Sequence, residues 1–255
     1  MTLNAERFSG RVAEYKQYRE RYDPDVVLPL LREWCGLVPE WTVADVGAGT
    51  GMLSDVFLVN GNRVIAIEPN AEMRAACLRT HADDAALSVS DGTAEATGLS
   101  AGAVEMVSVG RALHWFDTEA AFAEFKRVLK PGGWVAVIAF GRAEDGREEN
   151  VAFERTIEGF MPTRERRKMY AVYERLENAF AGGEFRHAEI RGEMSLKWEA
   201  LLGMTVSLSH APLPGGAGYA EFEHAMRDYF ERHAVDGELT LATRYWINAG
   251  RFSTR

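Results

Sequence analysis

As far as about residue 140, short apolar, β-branched runs alternate with stretches whose apolar residues recur every three or four positions. That alternation predicts βαβ units around a parallel sheet. "AERFSGRVAEYKQYRERY" and "DPDVVLPLLREWCGL" read as opening helices, joined at Asp23-Pro24, where proline suits a first helical turn. "TVADVG", "RVIAIEP", "ALSVSD", "VEMVSVG" and "WVAVIAF" read as five buried strands. Between them, "GMLSDVFLVNG" predicts a helix closed by Gly61, "AEMRAACLRT" one capped by Asn70, and "EAAFAEFKRVL" one capped by Thr118. Phe122, Phe125 and Leu129 fall on one face of the last, and "KPGG" predicts a turn before the fifth strand.

The texture changes near residue 141. "EENVAFERTIEGFM" and "RERRKMYAVYERLENAF" predict two helices split by Pro162. "FRHAEIRGEMSL" alternates as a strand, "WEALLGMTVSL" reads as a short helix, and "HAPLPGGAGY" as a loop. A helix, "YAEFEHAMRDYFERHA", and a strand, "GELTLATRYWINAGRF", complete the pattern. The expected organisation is N-terminal cap helices over residues 1–40, a Rossmann-like core over 41–141, and a helical cover over 142–255 interleaved with two further strands.

Composition leaves this picture standing. The 255 residues are 47% hydrophobic and 26% charged, ordinary for a globular chain. No apolar run is long enough for a membrane helix, and the first residues lack a signal core, so a cytoplasmic protein is expected. Cys35 and Cys77 suit a reducing compartment and read as small buried hydrophobes. A net charge of -9 disfavours nucleic acid as a partner. The basic cluster Thr163–Met169 reads as a solvated helix face or as part of a lid over an anionic substrate.

The candidate chemistry begins in "VADVGAGTGML". A glycine turn between a strand and a helix is where open α/β sheets bind ligands. Gly47, Gly49 and Gly51 let the backbone approach a ligand closely, and the helix beyond offers unpaired N–H groups. Glu68, at the end of the second strand, would lie beside the turn and accept hydrogen bonds from ribose hydroxyls. NAD and S-adenosylmethionine both carry such a ribose. The third glycine comes one place earlier than in dinucleotide turns, and Asp45 would repel a pyrophosphate but attract an ammonium. Both departures favour the cofactor with a cationic amino-acid tail.

With these residues in place, the chain resembles the class I S-adenosylmethionine-dependent methyltransferases, in the small-molecule group with ubiquinone/menaquinone-type and trans-aconitate-type enzymes. "VADVGAGTG" resembles the first family motif, "VIAIEPN" the acidic end of strand two, and "SDGTAEATGL" the adenine loop. "VEMVSVGRALHWFD" resembles strand four with its following loop, and "FKRVLKPGGWVAV" the entry to strand five. The ordered match covers residues 43–140. The resemblance implies a doubly wound, seven-stranded, mostly parallel α/β sheet with a reversed hairpin at its C-terminal edge.

The resemblance also implies that Gly47, Ala48 and Gly49 lie along the methionine and ribose portions of the cofactor. Glu68 would hold the ribose, with Pro69 against the adenine and Thr93, Ala94 and Glu95 in the adenine loop. Family members often carry Asp where Thr93 stands, so Asp91 or a carbonyl would have to serve the adenine amino group. Gly110, Arg111 and Ala112 would pass under the methionine tail, with Asp45 near its ammonium.

Methyl transfer from a sulfonium is an in-line displacement that needs alignment in an apolar site, and a base only where the acceptor must lose a proton. In "ALHWFD", His114 is the candidate base or orienting residue, with Asp117 available to hold its tautomer and Trp115 packing near the acceptor. Phe8, Tyr15, Tyr18, Arg19 and Tyr22 form either a packing stripe or a lid on the first helix, the lid placing Arg19 or Tyr18 near the cofactor carboxylate. Tyr173, with Met169, Leu176 and Phe180 at helical spacing, would be core or would line the acceptor site.

No motif points to a catalytic metal, no Gly-x-Ser-x-Gly elbow occurs, and the tetrapeptide of amino-methylating nucleic-acid enzymes is missing after strand four. The expected activity is methylation of a small molecule at a carboxylate, hydroxyl, amine or carbon. The alternatives are a non-catalytic S-adenosylmethionine-binding regulatory module and an NAD(P)-dependent oxidoreductase.

Overall fold

The computed structural model describes residue 18 and residues 20–143, 146–160, 172–208 and 211–253. Phe8, Tyr15, Arg19, most of the first expected helix and the basic run lie outside the described residues.

Helix α1 (Pro24–Cys35) leads into strand β1 (Thr42–Val46), helix α2 (Ser54–Val59) and strand β2 (Arg63–Ile67). Helix α3 (Ala71–Thr80), strand β3 (Leu87–Ser90), strand β4 (Val104–Gly110), helix α4 (Thr118–Val128) and strand β5 (Leu129–Arg142) follow. Then come helix α5 (Glu148–Glu158), strand β6 (Glu184–Leu196), helix α6 (Trp198–Val206), helix α7 (Tyr219–His233) and strand β7 (Leu239–Arg251). The boundaries have local causes. Asp23 caps α1 by accepting the Asp25 N–H, with Pro24 in the first turn, and Asn70 caps α3 by accepting the Met73 N–H.

The seven strands are ordered β3-β2-β1-β4-β5-β7-β6. Strands β1 to β5 pair in parallel, whereas β7 runs antiparallel between β5 and β6, giving the expected reversed hairpin at the sheet edge. Alternating side chains serve two cores. Val43, Val64, Met106, Ala136 and Ile138 pack against α1 and α2 with Phe57, Leu28 and Leu31. Ala44, Ile67, Val107, Val135 and Val137 pack on the opposite face with Phe125 and Val128 of α4. A third cluster joins Phe153 and Ile157 of α5, Leu201 and Met204 of α6 and Phe222 and Met226 of α7 to Leu239 and Leu241 of β7. Among the described residues no helix is long and apolar enough to cross a membrane.

Three local expectations are corrected. Helix α4 is capped by Asp117, which accepts the Ala120 N–H, and Thr118 is the first helical residue. Asp beats Thr here because its carboxylate meets the unpaired N–H groups and the positive end of the helix. The "KPGG" segment is part of β5, taken up as a register shift opposite Val104 and Met106. Tyr173–Phe180 forms a 3-10 helix, the tighter form common in short connecting pieces, and Gly182-Gly183 closely follow it.

Candidate functional site

The first βα turn lies at the C-terminal edge of β1, the ligand edge of a doubly wound sheet. Gly47, Gly49 and Gly51 all have positive φ, at 70°, 59° and 91°. A Cβ on Gly47 would stand 2.8 Å from the Ala112 Cβ and 3.1 Å from the Phe116 ring, so the turn is packed shut on the side of β4. At Gly49 a Cβ would meet nothing within 4 Å, so that residue opens outward. On the inner side, a Cβ at Gly51 would stand 2.7 Å from the His81 ring and 2.9 Å from the Cys77 sulfur. His81 places Nε2 2.7 Å from Asp55 Oδ1 and Nδ1 2.9 Å from the Cys77 carbonyl oxygen. Burial pushes the Cys77 thiol up to about 12, so it is an inert packing group.

Two carboxylates flank the turn. Glu68 is buried, and its oxygens accept the Gly49 N–H and the Asn70 N–H, each at 2.8 Å. Burial raises its pKa against the opposing pull of those two bonds and of Arg74. Asp45 is fully buried, accepting from the Ser54 hydroxyl at 2.7 Å and the Ser108 hydroxyl at 3.1 Å. Desolvation lifts it to about 6, with the two hydroxyls opposing and the Glu68 charge adding to the rise. Thr50 Oγ1 is buried with no hydrogen-bond partner among the described residues.

Asp45, Gly47 and Ala48 share a narrow cleft of about 20 Å³ with Met52, Leu53, Gly110, Arg111 and Tyr22. Its wall comes from β4 and from the segment before α1. Arg111 has φ 52°, and its guanidinium lies 4.9 Å from the Tyr22 ring centroid. A Cβ on Gly110 would stand 2.8 Å from the Tyr22 hydroxyl. Ala112 is buried beside Gly47. A more open depression bounded by Glu149, His233, Asp236 and Glu238 adjoins none of the residues singled out in the sequence.

The adenine-loop candidates form a tight bridge in which Thr93 and Ala96 exchange backbone hydrogen bonds. Ala94 is buried, and Glu95 accepts the Asp117 N–H at 2.9 Å, tying the loop to the start of α4. Pro69 is exposed, and Asp91 pairs with Arg74 at 3.1 Å.

His114 and Trp115 lie in a 3-10 turn, Leu113–Trp115, directly after β4, with ring centroids 4.8 Å apart. The Tyr173 hydroxyl lies 3.2 Å from His114 Nδ1. Tyr173 therefore takes the place expected for Asp117, which is committed to capping α4. Tyr18 is half-buried against α6, where a Cβ on Gly203 would collide with its ring at 2.2 Å. Sequence reasoning missed Ser54, Ser108, Glu20 and Arg142. The serines carried only the weak signal of a hydroxyl in a βα unit, and Glu20 and Arg142 carried none.

Residues 44–137 match a family model described as a methyltransferase domain. The chain is 33% identical over 131 residues to an uncharacterized methyltransferase of Mycobacterium tuberculosis, covering 51% of each protein. It is 30% identical over 132 residues to one from Schizosaccharomyces pombe, again covering 51% of each. The chain thus spans about half the length of the curated relatives it matches. A candidate type II methyltransferase from Anaeromyxobacter dehalogenans superposes with a TM-score of 0.66 at 23% identity, over 93% of this chain and all of that one. The YcgJ protein of Bacillus subtilis gives 0.55 at 16% identity, over 89% of this chain and 98% of that one. The structural likenesses establish the fold.

Proposed function

We propose that this chain, whose residues 44–137 match a methyltransferase-domain model and whose sheet is seven-stranded, is a class I methyltransferase that transfers a methyl group from S-adenosylmethionine to a small-molecule acceptor. The observation that carries the reading is the buried Glu68 carboxylate fixed at the open face of Gly49. Each of its oxygens accepts one backbone N–H, and a carboxylate oxygen has a second lone pair for a ribose hydroxyl. The residues present fit the cofactor. Gly49 leaves room for it, Asp45 offers a negative group to its ammonium, and the Thr50 hydroxyl supplies a further polar group.

Bound S-adenosylmethionine supplies a methyl group on a cationic sulfur. The chain's own contribution is alignment and exclusion of water. Tyr22, Met52 and Leu53 wall the cleft with apolar surface, while Gly110 and Ala112 keep the backbone of β4 close to it. Pro69, Ala94 and the Thr93–Glu95 loop border the adenosine side. His114 orients the acceptor or takes its proton, with the Tyr173 hydroxyl at its Nδ1. Trp115 and Tyr18 supply aromatic surface to the acceptor side. The acceptor is a cytoplasmic metabolite with an oxygen, nitrogen or carbon nucleophile, and the basic run near residue 165 favours an anionic one.

Calorimetric titration with S-adenosylhomocysteine and with NAD tests the cofactor. Saturable binding of the first and none of the second supports the reading, and the reverse overturns it in favour of an oxidoreductase. A screen of metabolite extracts with isotopically labelled S-adenosylmethionine tests the activity. Binding without transfer to any metabolite pool would favour a regulatory module.

A further inference from the structure

Arg111 already holds a carboxylate. Its Nη1 lies 3.0 Å from Glu20 Oε2 and its Nη2 donates to the Glu20 carbonyl oxygen at 2.8 Å. Both side chains are about nine-tenths buried, at 9% and 10% exposed. The other Glu20 oxygen faces Arg142 Nη1 at 4.0 Å, and Arg142 is itself anchored on Glu154 of α5 at 3.0 Å. One carboxylate therefore sits between two guanidinium groups from the ends of β4 and β5.

The cleft bordered by Arg111 has Asp45 on another wall. A buried anion and a buried cation facing one cleft match a zwitterion, and the amino-acid tail of S-adenosylmethionine is one. At about 20 Å³ the cleft is far smaller than ligand pockets generally are, roughly 300–1,000 Å³. Tyr22, two residues along the chain from Glu20, forms part of its wall. A second carboxylate beside Arg111 would also be repelled by Glu20 unless Glu20 gave way.

We propose that Arg111 is the carboxylate-binding residue for the cofactor's amino-acid tail, and that Glu20 is a stand-in carboxylate displaced when the tail enters. Arg142 retains Glu20 as it moves off Arg111, so its charge is never left unpaired in a buried setting, where that would be costly. The Glu20–Tyr22 segment thereby reports on the cofactor tail to α5, through Arg142 and Glu154.

This inference rests on the cofactor reading above, and two probes separate the two. S-adenosylhomocysteine carries the tail, whereas 5′-methylthioadenosine has the same nucleoside without it. In Glu20→Gln the competing charge is gone, so a smaller share of the protein is closed to the tail. S-adenosylhomocysteine should then bind about five- to tenfold more tightly than to the unmodified chain, with methylthioadenosine unchanged. Glu20→Asp keeps the charge but shortens its reach, and should move in the same direction by less. If the unmodified chain binds neither nucleoside, the cofactor reading falls and this inference with it. If it binds both, and both variants leave S-adenosylhomocysteine unchanged or weaker, the exchange alone is overturned. Where Glu20→Gln fails to fold, Glu20→Asp decides by the same comparison.

Discussion

The Glu68 carboxylate folds back onto the glycine turn and accepts the Gly49 N–H at 2.8 Å, so a residue at the end of β2 fixes the shape of a turn that leaves β1. The same side chain accepts the Asn70 N–H at the start of α3. Glu68→Ala removes both acceptors and the group assigned to the ribose. S-adenosylhomocysteine affinity should fall about 10- to 100-fold, equivalent to roughly 1.5–3 kcal/mol for hydrogen bonds to a charged group. Titration calorimetry reads this directly. Unchanged affinity would remove Glu68 from the binding site.

Asp45 gives the chain a pH signature. Its folded value of about 6 stands above the unfolded value of 3.8, so folding favours the protonated form. Its contribution to stability is fully present below about pH 3.8 and is lost as pH rises through about 6. The amount is on the order of 3 kcal/mol for a shift of about two units. Asp45→Asn keeps a group able to accept from Ser54 and Ser108 but cannot ionise. Melting temperatures of the two proteins measured from pH 4 to 8 should therefore diverge between about pH 4 and 6 and stay apart, in favour of Asn, above that. Parallel curves would show that Asp45 titrates as an ordinary carboxylate.

The same group should set the pH dependence of binding. An ammonium beside Asp45 is stabilised only by the ionised carboxylate, so S-adenosylhomocysteine should bind more tightly as pH rises from 5 to 7. In Asp45→Asn that rise should vanish and the affinity should stay at its low-pH level. A rise retained in the variant would place the ammonium elsewhere.

His114 and Tyr173 can be separated by kinetics. If His114 handles the acceptor's proton, His114→Ala should lower turnover by roughly 10²- to 10⁴-fold while leaving S-adenosylhomocysteine affinity nearly unchanged. Tyr173→Phe removes only the hydroxyl at Nδ1 and should have a smaller effect, visible as an altered pH–rate profile. Equal profiles in the three proteins would reduce the pair to packing.

His81 backs the turn from the inside, against Gly51 and bonded to Asp55 at 2.7 Å. His81→Ala should cost about 1–3 kcal/mol, because it loses two hydrogen bonds and leaves a space under the turn. Thermal unfolding measures the loss, and a fall in S-adenosylhomocysteine affinity should accompany it as Gly51 loses its support. Stability unchanged within about 0.5 kcal/mol would show that the turn holds its shape unaided.

Much of the sheet was legible because its signals are local. The apolar runs at Thr42–Val46, Arg63–Ile67 and Val104–Gly110 are bounded by glycine turns and helix caps that leave few alternatives. Where neighbours compete for one role, local pattern misleads. Asp117 and Thr118 are both good caps, and only the structure shows which side chain meets the Ala120 N–H. The "KPGG" run reads as a turn until pairing with β4 draws it into β5.

By itself, the sequence determined that a glycine turn would follow a buried strand, that an acidic residue would end the next one, and that a parallel sheet would hold them together. Those features depend on residues close in the chain, where periodicity and backbone preference act directly. The tertiary structure decided how polar and charged groups distant in sequence are paired: Glu20 with Arg111 and Arg142, Asp45 with Ser108, and His114 with Tyr173. Such pairs form because burial makes an uncompensated polar group costly, and which group comes within reach depends on the packing of the whole chain.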